Sequence, residues 1–260
     1  MLKQIPNFFT LLNLVCGCIA IVFILQTGET LVTVDEGAWI PQLPEKIWWG
    51  SILIGIAAIV DFLDGFVARL FKATSSMGAQ LDSLADVVSF GVAPGLILYQ
   101  LLRVSYIGQQ DGIDTTIWAL LPAFLFTSAA AWRLARFNVE TNTSNNFRGM
   151  PTPAAGLFIA SLPLVLFYNY FNIAALLINK WFLYGTIVLL AYFMISRIPF
   201  IAMKFADKSL RKNLPVILLV LIALIAAVFL EWLAIPVVFI FYIIFSLIQK
   251  RKTDDIYHRG

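Results

Sequence analysis

The sequence predicts an all-α, polytopic membrane bundle of about eight helices, with both termini on the cytoplasmic side. Three observations carry this. Of 260 residues, 60% are hydrophobic and only 13% charged, where soluble domains average about 25% charged; mean hydropathy is +0.87. Eight mostly apolar stretches have roughly the length needed to cross a bilayer, at residues 7–26, 47–71, 79–103, 116–137, 152–170, 178–200, 214–230 and 233–249. With the N-terminus inside and the spans alternating, fifteen of the eighteen Lys and Arg residues fall on the cytoplasmic side, leaving only Lys46, Arg103 and Lys180 outside.

Each stretch has its own signature. The first follows a start with one basic residue, Lys3, and no small-residue cleavage site, so 7–26 reads as a retained span and not a signal peptide. Cys16 and Cys18 lie inside it. A disulfide at i,i+2 on a helix is geometrically poor, so they read as small packing residues. The second span carries Asp61 and Asp64. A short connector, roughly Lys72 to Met77, leads to the third, which opens with Asp82 and Asp86. The fourth ends in Arg133 and Arg136. The last two are separated by a tight turn near Glu231. The chain then divides into a six-helix core, 1–200, and a basic connector with two additional spans, 201–260. Lys204, Lys208, Arg211 and Lys212 fit ordinary positive-inside bias, or contact with anionic headgroups. A net charge of +3 requires no nucleic-acid partner, and the lone histidine, His258, argues against a histidine-based zinc site or triad.

The four aspartates are the costly feature. An ionised carboxylate at the centre of a membrane helix costs about 2.5–3.5 kcal/mol even on lenient scales. Asp61 and Asp64 share one helix face at i,i+3, and Asp82 and Asp86 share another at i,i+4. The short connector makes the two helices antiparallel neighbours. Asp64 then lies ~12 Å from Lys72 along the axis, and the second pair lies at comparable depth. All four face one pocket near the cytoplasmic side. Oxygen-only ligands suit Mg²⁺ or Mn²⁺. Four carboxylates exceed what one magnesium usually takes from protein, so two ions are expected, an arrangement suited to phosphoryl transfer. Gly65, Ala68 and Gly78 allow close approach of a backbone or ligand, and Arg69 can fork onto phosphate.

The stretch Asp61-x2-Asp64-Gly65-x2-Ala68-Arg69-x8-Gly78-x3-Asp82-x3-Asp86 resembles, position by position, the signature of the CDP-alcohol phosphotransferases. Ser89-Phe90-Gly91-Val92-Ala93-Pro94-Gly95, Arg133-Leu134-Ala135-Arg136-Phe137-Asn138 and Gly149-Met150-Pro151-Thr152-Pro153-Ala154 are similar to segments of the bacterial and archaeal phosphatidylserine synthases within that family. The resemblance implies transfer of a phosphatidyl group from CDP-diacylglycerol to L-serine, with CMP released. It implies that Asp61, Asp64 and Asp82 hold metal, and that Asp86 is the general base and touches the second ion. Gly65, Arg69, Ser75 and Gly78 would lie along the CDP moiety, joined by Asn7 and Thr10 from the segment Pro6-Asn7-Phe8-Phe9-Thr10. It further implies a homodimer in the inner membrane of a prokaryote, with the site facing the cytoplasm.

The acceptor is less directly encoded. Serine carries a carboxylate, and Arg133 and Arg136, at i,i+3, can bind one bidentately; the bland reading makes them positive-inside anchors. Ser83, Ser89 and Asn138 either contact the acceptor or bridge helices. Glycerol 3-phosphate or an inositol phosphate are alternative acceptors. They would call for a denser basic cluster than Arg133, Arg136 and Arg148 offer. A different class, a cation transporter with a carboxylate site, is opposed by the clustering of all four acids on one helical pair.

Overall fold

The computed structural model describes residues 5–26, 32–35, 38–41, 44, 46–71, 75–107, 116–140, 149–169, 171–201 and 210–257. Lys3, Lys72, Arg148, Lys204, Lys208 and His258 lie outside these residues.

Helices dominate. In chain order they are α1 (Ile5–Leu25), α2 (Ile47–Leu70), α3 (Ser76–Asp86), α4 (Ala93–Ile107), α5 (Ala123–Glu140), α6 (Thr152–Tyr168), the short α7 (Ala174–Leu177), α8 (Lys180–Ile195), α9 (Leu210–Leu230) and α10 (Ala234–Tyr257). A π-helical segment, Val87–Val92, joins α3 to α4 in one rod. The expected all-α bundle is what the structure shows, with one small addition. Between α1 and α2, β1 (Val32–Asp35) and β2 (Ala38–Pro41) form an antiparallel pair with Val34 opposite Trp39. The β-branched and aromatic residues there favour strand.

Four helical stretches are long and apolar enough to cross a bilayer on their own: Pro6–Leu25, Ile47–Leu70, Ser76–Ile107 and Leu214–Ile248. Of the eight expected spans, the last two fall together in the fourth stretch. Glu231 breaks it with a left-handed φ of 49°, and α9 and α10 fold back against each other. The remainder are shorter or less apolar. Thr152–Tyr168 and Lys180–Ile195 are short apolar helices, and α5 carries Arg133, Arg136 and Glu140 within its last two turns.

The π segment is the central strut. α1 packs along α2 and crosses the π segment, where Gly17 lies against Ser89. On other sides Gly91 meets Ala130 of α5, and Gly156 of α6 meets the Phe90 backbone. Such small-residue contacts let helices approach where lipid offers no hydrophobic incentive to associate. The wider π turn loosens the backbone ladder, and Thr127 repairs it by donating to the Gly91 carbonyl at 3.0 Å.

The two ends of the bundle differ. Where α2 and α8 begin and α6 ends, aromatic rings collect: Trp48 stacks on Phe167 at 5.8 Å, Tyr168 on Trp232 at 6.1 Å, and Trp181 meets Tyr184 edge-on at 6.2 Å. Rings of this kind settle at headgroup level. The opposite end, where α1 and α3 begin and α2 finishes, holds Asp61, Asp64, Asp82 and Asp86.

Candidate active site

Three helices build the acidic pocket. The last turns of α2 supply Asp61, Asp64, Gly65 and Ala68. α3 supplies Gly78, Asp82 and, one turn deeper, Asp86. α1 supplies the third wall with Pro6, Asn7 and Thr10. The cavity between the three helices is about 200 Å³; Asp64 and Asp82 line it with the glycines, Ala68, Ser75, Ala79 and the α1 residues, while Asp61 and Asp86 lie outside its lining.

The carboxylates converge as the helical spacing requires. Asp61, Asp64 and Asp82 each offer an oxygen within 4.8 Å of the others, and Asp61 and Asp82 come within hydrogen-bonding reach. Carboxylates this close repel unless a cation or proton stands between them. Asp82 Oδ1 is buried and has no hydrogen-bond partner, and a hard divalent ion would satisfy it. The donor set therefore fits such an ion. Asp86 stands outside this triad. It is 7% exposed and accepts a 3.3 Å hydrogen bond from Asn13 Nδ2.

The α1 wall is tied to the acids. The Thr10 hydroxyl donates to Asp64 Oδ2 at 2.7 Å and lies 3.1 Å from the Pro6 carbonyl. Ser75 caps α3 by accepting from the Gly78 amide at 2.9 Å. Gly78 sits close to its neighbours: a Cβ there would lie 3.0 Å from Ser75 Oγ and 3.1 Å from Asn7 Oδ1, so those side chains would have to give by a few tenths of an ångström. Gly65 is different. A Cβ there would meet only the tip of Arg69, at 3.7 Å, so packing does not demand glycine and its missing side chain leaves room in the cavity. Arg69 thus lies back over Gly65. α3 begins at this cavity, and the positive end of a helix favours phosphate.

The residues expected on the acceptor side take separate places. Arg133 is 9% exposed, donates to Thr152 Oγ1 at 2.9 Å, and lies within electrostatic reach of Asp86. Arg136 donates to the Ile195 carbonyl at 3.1 Å at the end of α8. Asn138 pairs with Ser83 at 2.9 Å and ties α5 to α3 beside Asp82. Ser89 is fully buried and donates to the Asn13 carbonyl at 3.0 Å, a helix-to-helix bond under the pocket floor.

Two residues escaped the sequence reading. Asn13 is fully buried and holds Asp86. Its signal was present, since Asn7, Thr10 and Asn13 recur every three residues and form one polar stripe on an apolar helix. Thr152, the partner of Arg133, had no such signal, because the pairing joins α5 and α6 across the loop between them.

In a helical membrane bundle, a triad of carboxylates beside a helix N-terminus offers donors that could hold a divalent ion next to a phosphate. The family model for CDP-alcohol phosphatidyltransferase matches residues 3–192, and the chain belongs to that family of transferases. Its relatives include a CDP-diacylglycerol–serine O-phosphatidyltransferase of Helicobacter pylori, 41% identical over 201 residues, covering 76% of this chain and 77% of that protein. The Bacillus subtilis protein of the same name is 30% identical over 186 residues, covering 69% and 89%. An archaetidylserine synthase of Methanothermobacter thermautotrophicus is 36% identical over 129 residues, about half of each chain. Membership in a transferase family replaces the ion-transport alternative.

Proposed function

We propose that the protein transfers the phosphatidyl group of CDP-diacylglycerol to the hydroxyl of L-serine and releases CMP. The carrying observation is the placement of Asp86 between the carboxylate triad and buried Arg133, with serine-using relatives aligned over most of the chain. The donor enters laterally from the inner leaflet and keeps its acyl tails in lipid. Its pyrophosphate lies over Gly65 and the start of α3, with Arg69 on the phosphates and Ser75, Asn7 and Thr10 along the nucleotide. Asp61, Asp64 and Asp82 would hold one Mg²⁺ or Mn²⁺, and Asp86 would reach a second. Such ions would supply the charge that neutralises the pyrophosphate and stabilises CMP as leaving group.

Serine is a poor nucleophile at neutral pH, so a positioned base is needed. Asn13 orients the Asp86 carboxylate, which takes the hydroxyl proton. The serine oxygen forms a bond to the phosphorus that bears diacylglycerol, and the bond from that phosphorus to the bridging oxygen breaks, freeing CMP. Arg133 receives the serine carboxylate. Arg136, Asn138 and Ser89 support that side. We place this chemistry at the cytoplasmic face of a prokaryotic inner membrane, in an eight-span homodimer with both termini inside. Residues 1–200 form the catalytic core.

The deciding experiment measures CMP release from CDP-diacylglycerol with serine, glycerol 3-phosphate, an inositol phosphate and no acceptor, each with and without chelator. Release is expected with serine and divalent ion alone. Release with another alcohol instead of serine would reassign the acceptor, and undiminished release after chelation would remove the metal.

A further inference from the structure

The family match ends at residue 192, so α9 and α10 lie beyond it. Hydrogen bonds joined by short stretches of chain nonetheless connect Arg133 to α10. The connection starts at Thr152, which holds the buried guanidinium and opens α6. Just before Thr152, the Gly149 amide donates to the Ile198 carbonyl at 2.8 Å and the Met150 amide to the Phe193 carbonyl at 3.0 Å. The docking is tight. Gly149 has φ 88°, and a Cβ there would lie 2.6 Å from the Met194 carbonyl, so only glycine serves.

The far end of this docking strip is gripped by α10. Ser246 Oγ accepts from the Ile201 amide at 3.2 Å and donates to the Tyr242 carbonyl at 2.8 Å, while the Tyr242 hydroxyl donates to the Ile201 carbonyl at 3.3 Å. Phe200 bridges the rings, 5.7 Å from Phe193 and 5.8 Å from Tyr242. Tyr242 is 1% exposed and Ser246 fully buried. A hydroxyl in a membrane helix can satisfy itself on its own backbone, as Ser246 does. Two of them converging on both polar groups of one residue fixes where residue 201 sits.

We infer that α10 is a working part of the acceptor half of the site, with Tyr242 and Ser246 acting as positioning residues that hold Arg133 through Ile201 and the Gly149–Thr152 segment. This rests on Arg133 being an acceptor contact. It gives α10 a role in specificity beyond filling membrane.

The test is steady-state CMP release by the full chain, titrating serine and CDP-diacylglycerol separately, for Ser246→Ala, Tyr242→Phe, the double variant and Arg133→Lys. The double variant should raise KM for serine about tenfold while kcat and KM for CDP-diacylglycerol stay within about twofold. Ser246→Thr, which keeps a hydroxyl, should restore the serine KM. Leu219→Ala, a buried apolar truncation on α9, should lower thermal stability without moving it. Both KM values rising together, or Leu219→Ala matching the double variant, would mean general loosening and overturn the proposal. If Arg133→Lys raises the serine KM and the double variant does not, the buttress fails while the acceptor assignment stands. If Arg133→Lys leaves serine KM unchanged, the acceptor assignment itself falls and takes the buttress with it. Should the double variant fail to fold, the isosteric Tyr242→Phe carries the test with a rise of about two- to threefold, and no rise overturns it.

Discussion

Asp86 and the triad beside it differ in what their removal should do. Asp86→Asn keeps the shape and the partner Asn13 but removes the proton acceptor. Turnover is expected to fall by about 10²-fold or more, with CDP-diacylglycerol binding retained in an equilibrium assay; retained turnover would strip Asp86 of the base role. Asp64→Asn can still accept from Thr10, so the α1 wall survives. Its expected defect is weaker affinity for the divalent ion, read by titrating Mn²⁺ against activity. Gly65 separates space from stability. Its missing side chain faces no neighbour but Arg69, so Gly65→Leu should leave the melting temperature nearly unchanged and raise KM for CDP-diacylglycerol about tenfold or more. A collapsed melting temperature would show that Gly65 serves packing instead.

At the scale of elements, the π segment holds the bundle together by close approach. A Cβ on Gly156 would lie 3.0–3.1 Å from Phe90 atoms, in a place where backbone must give. Overpacking of this sort costs about 1–3 kcal/mol, so Gly156→Ala should lower the melting temperature in detergent. Gly55→Ala, with nothing within 4 Å, should leave it level or raise it. What the sequence made legible follows from range. Spacing along one helix was enough to bring Asp61 with Asp64 and Asp82 with Asp86, and the short connector was enough to bring the pairs together. Contacts without a local rule stayed hidden. Thr127 mending Gly91, Arg133 reaching Thr152, and α10 gripping Ile201 each join helices whose mutual rotation only packing decides. The strand pair Val32–Asp35 and Ala38–Pro41 was missed because its β-branched run, Val32-Thr33-Val34, sits in a loop already explained by its place between two spans.

For the whole molecule, the asymmetry of the two ends is the governing fact. The stacked Trp and Tyr rings gather at one end and the four aspartates at the other, as expected if Trp118 and Trp181 meet the outer headgroups and Ser75 the inner. A single cysteine introduced as Trp181→Cys in a cysteine-free background should then react with an impermeant maleimide in intact cells, and Ser75→Cys only after lysis. The reverse pattern would invert the topology.

Thr10 and Asn13 find their partners 54 and 73 residues further along the chain. Synthesis runs the other way. The first helix enters the bilayer with its polar stripe unmatched, and its catalytic neighbours do not yet exist. The second arrives bearing two acids, and only the third brings the rest. The pocket is therefore a product of assembly, and its three walls meet only when α3 joins α1 and α2.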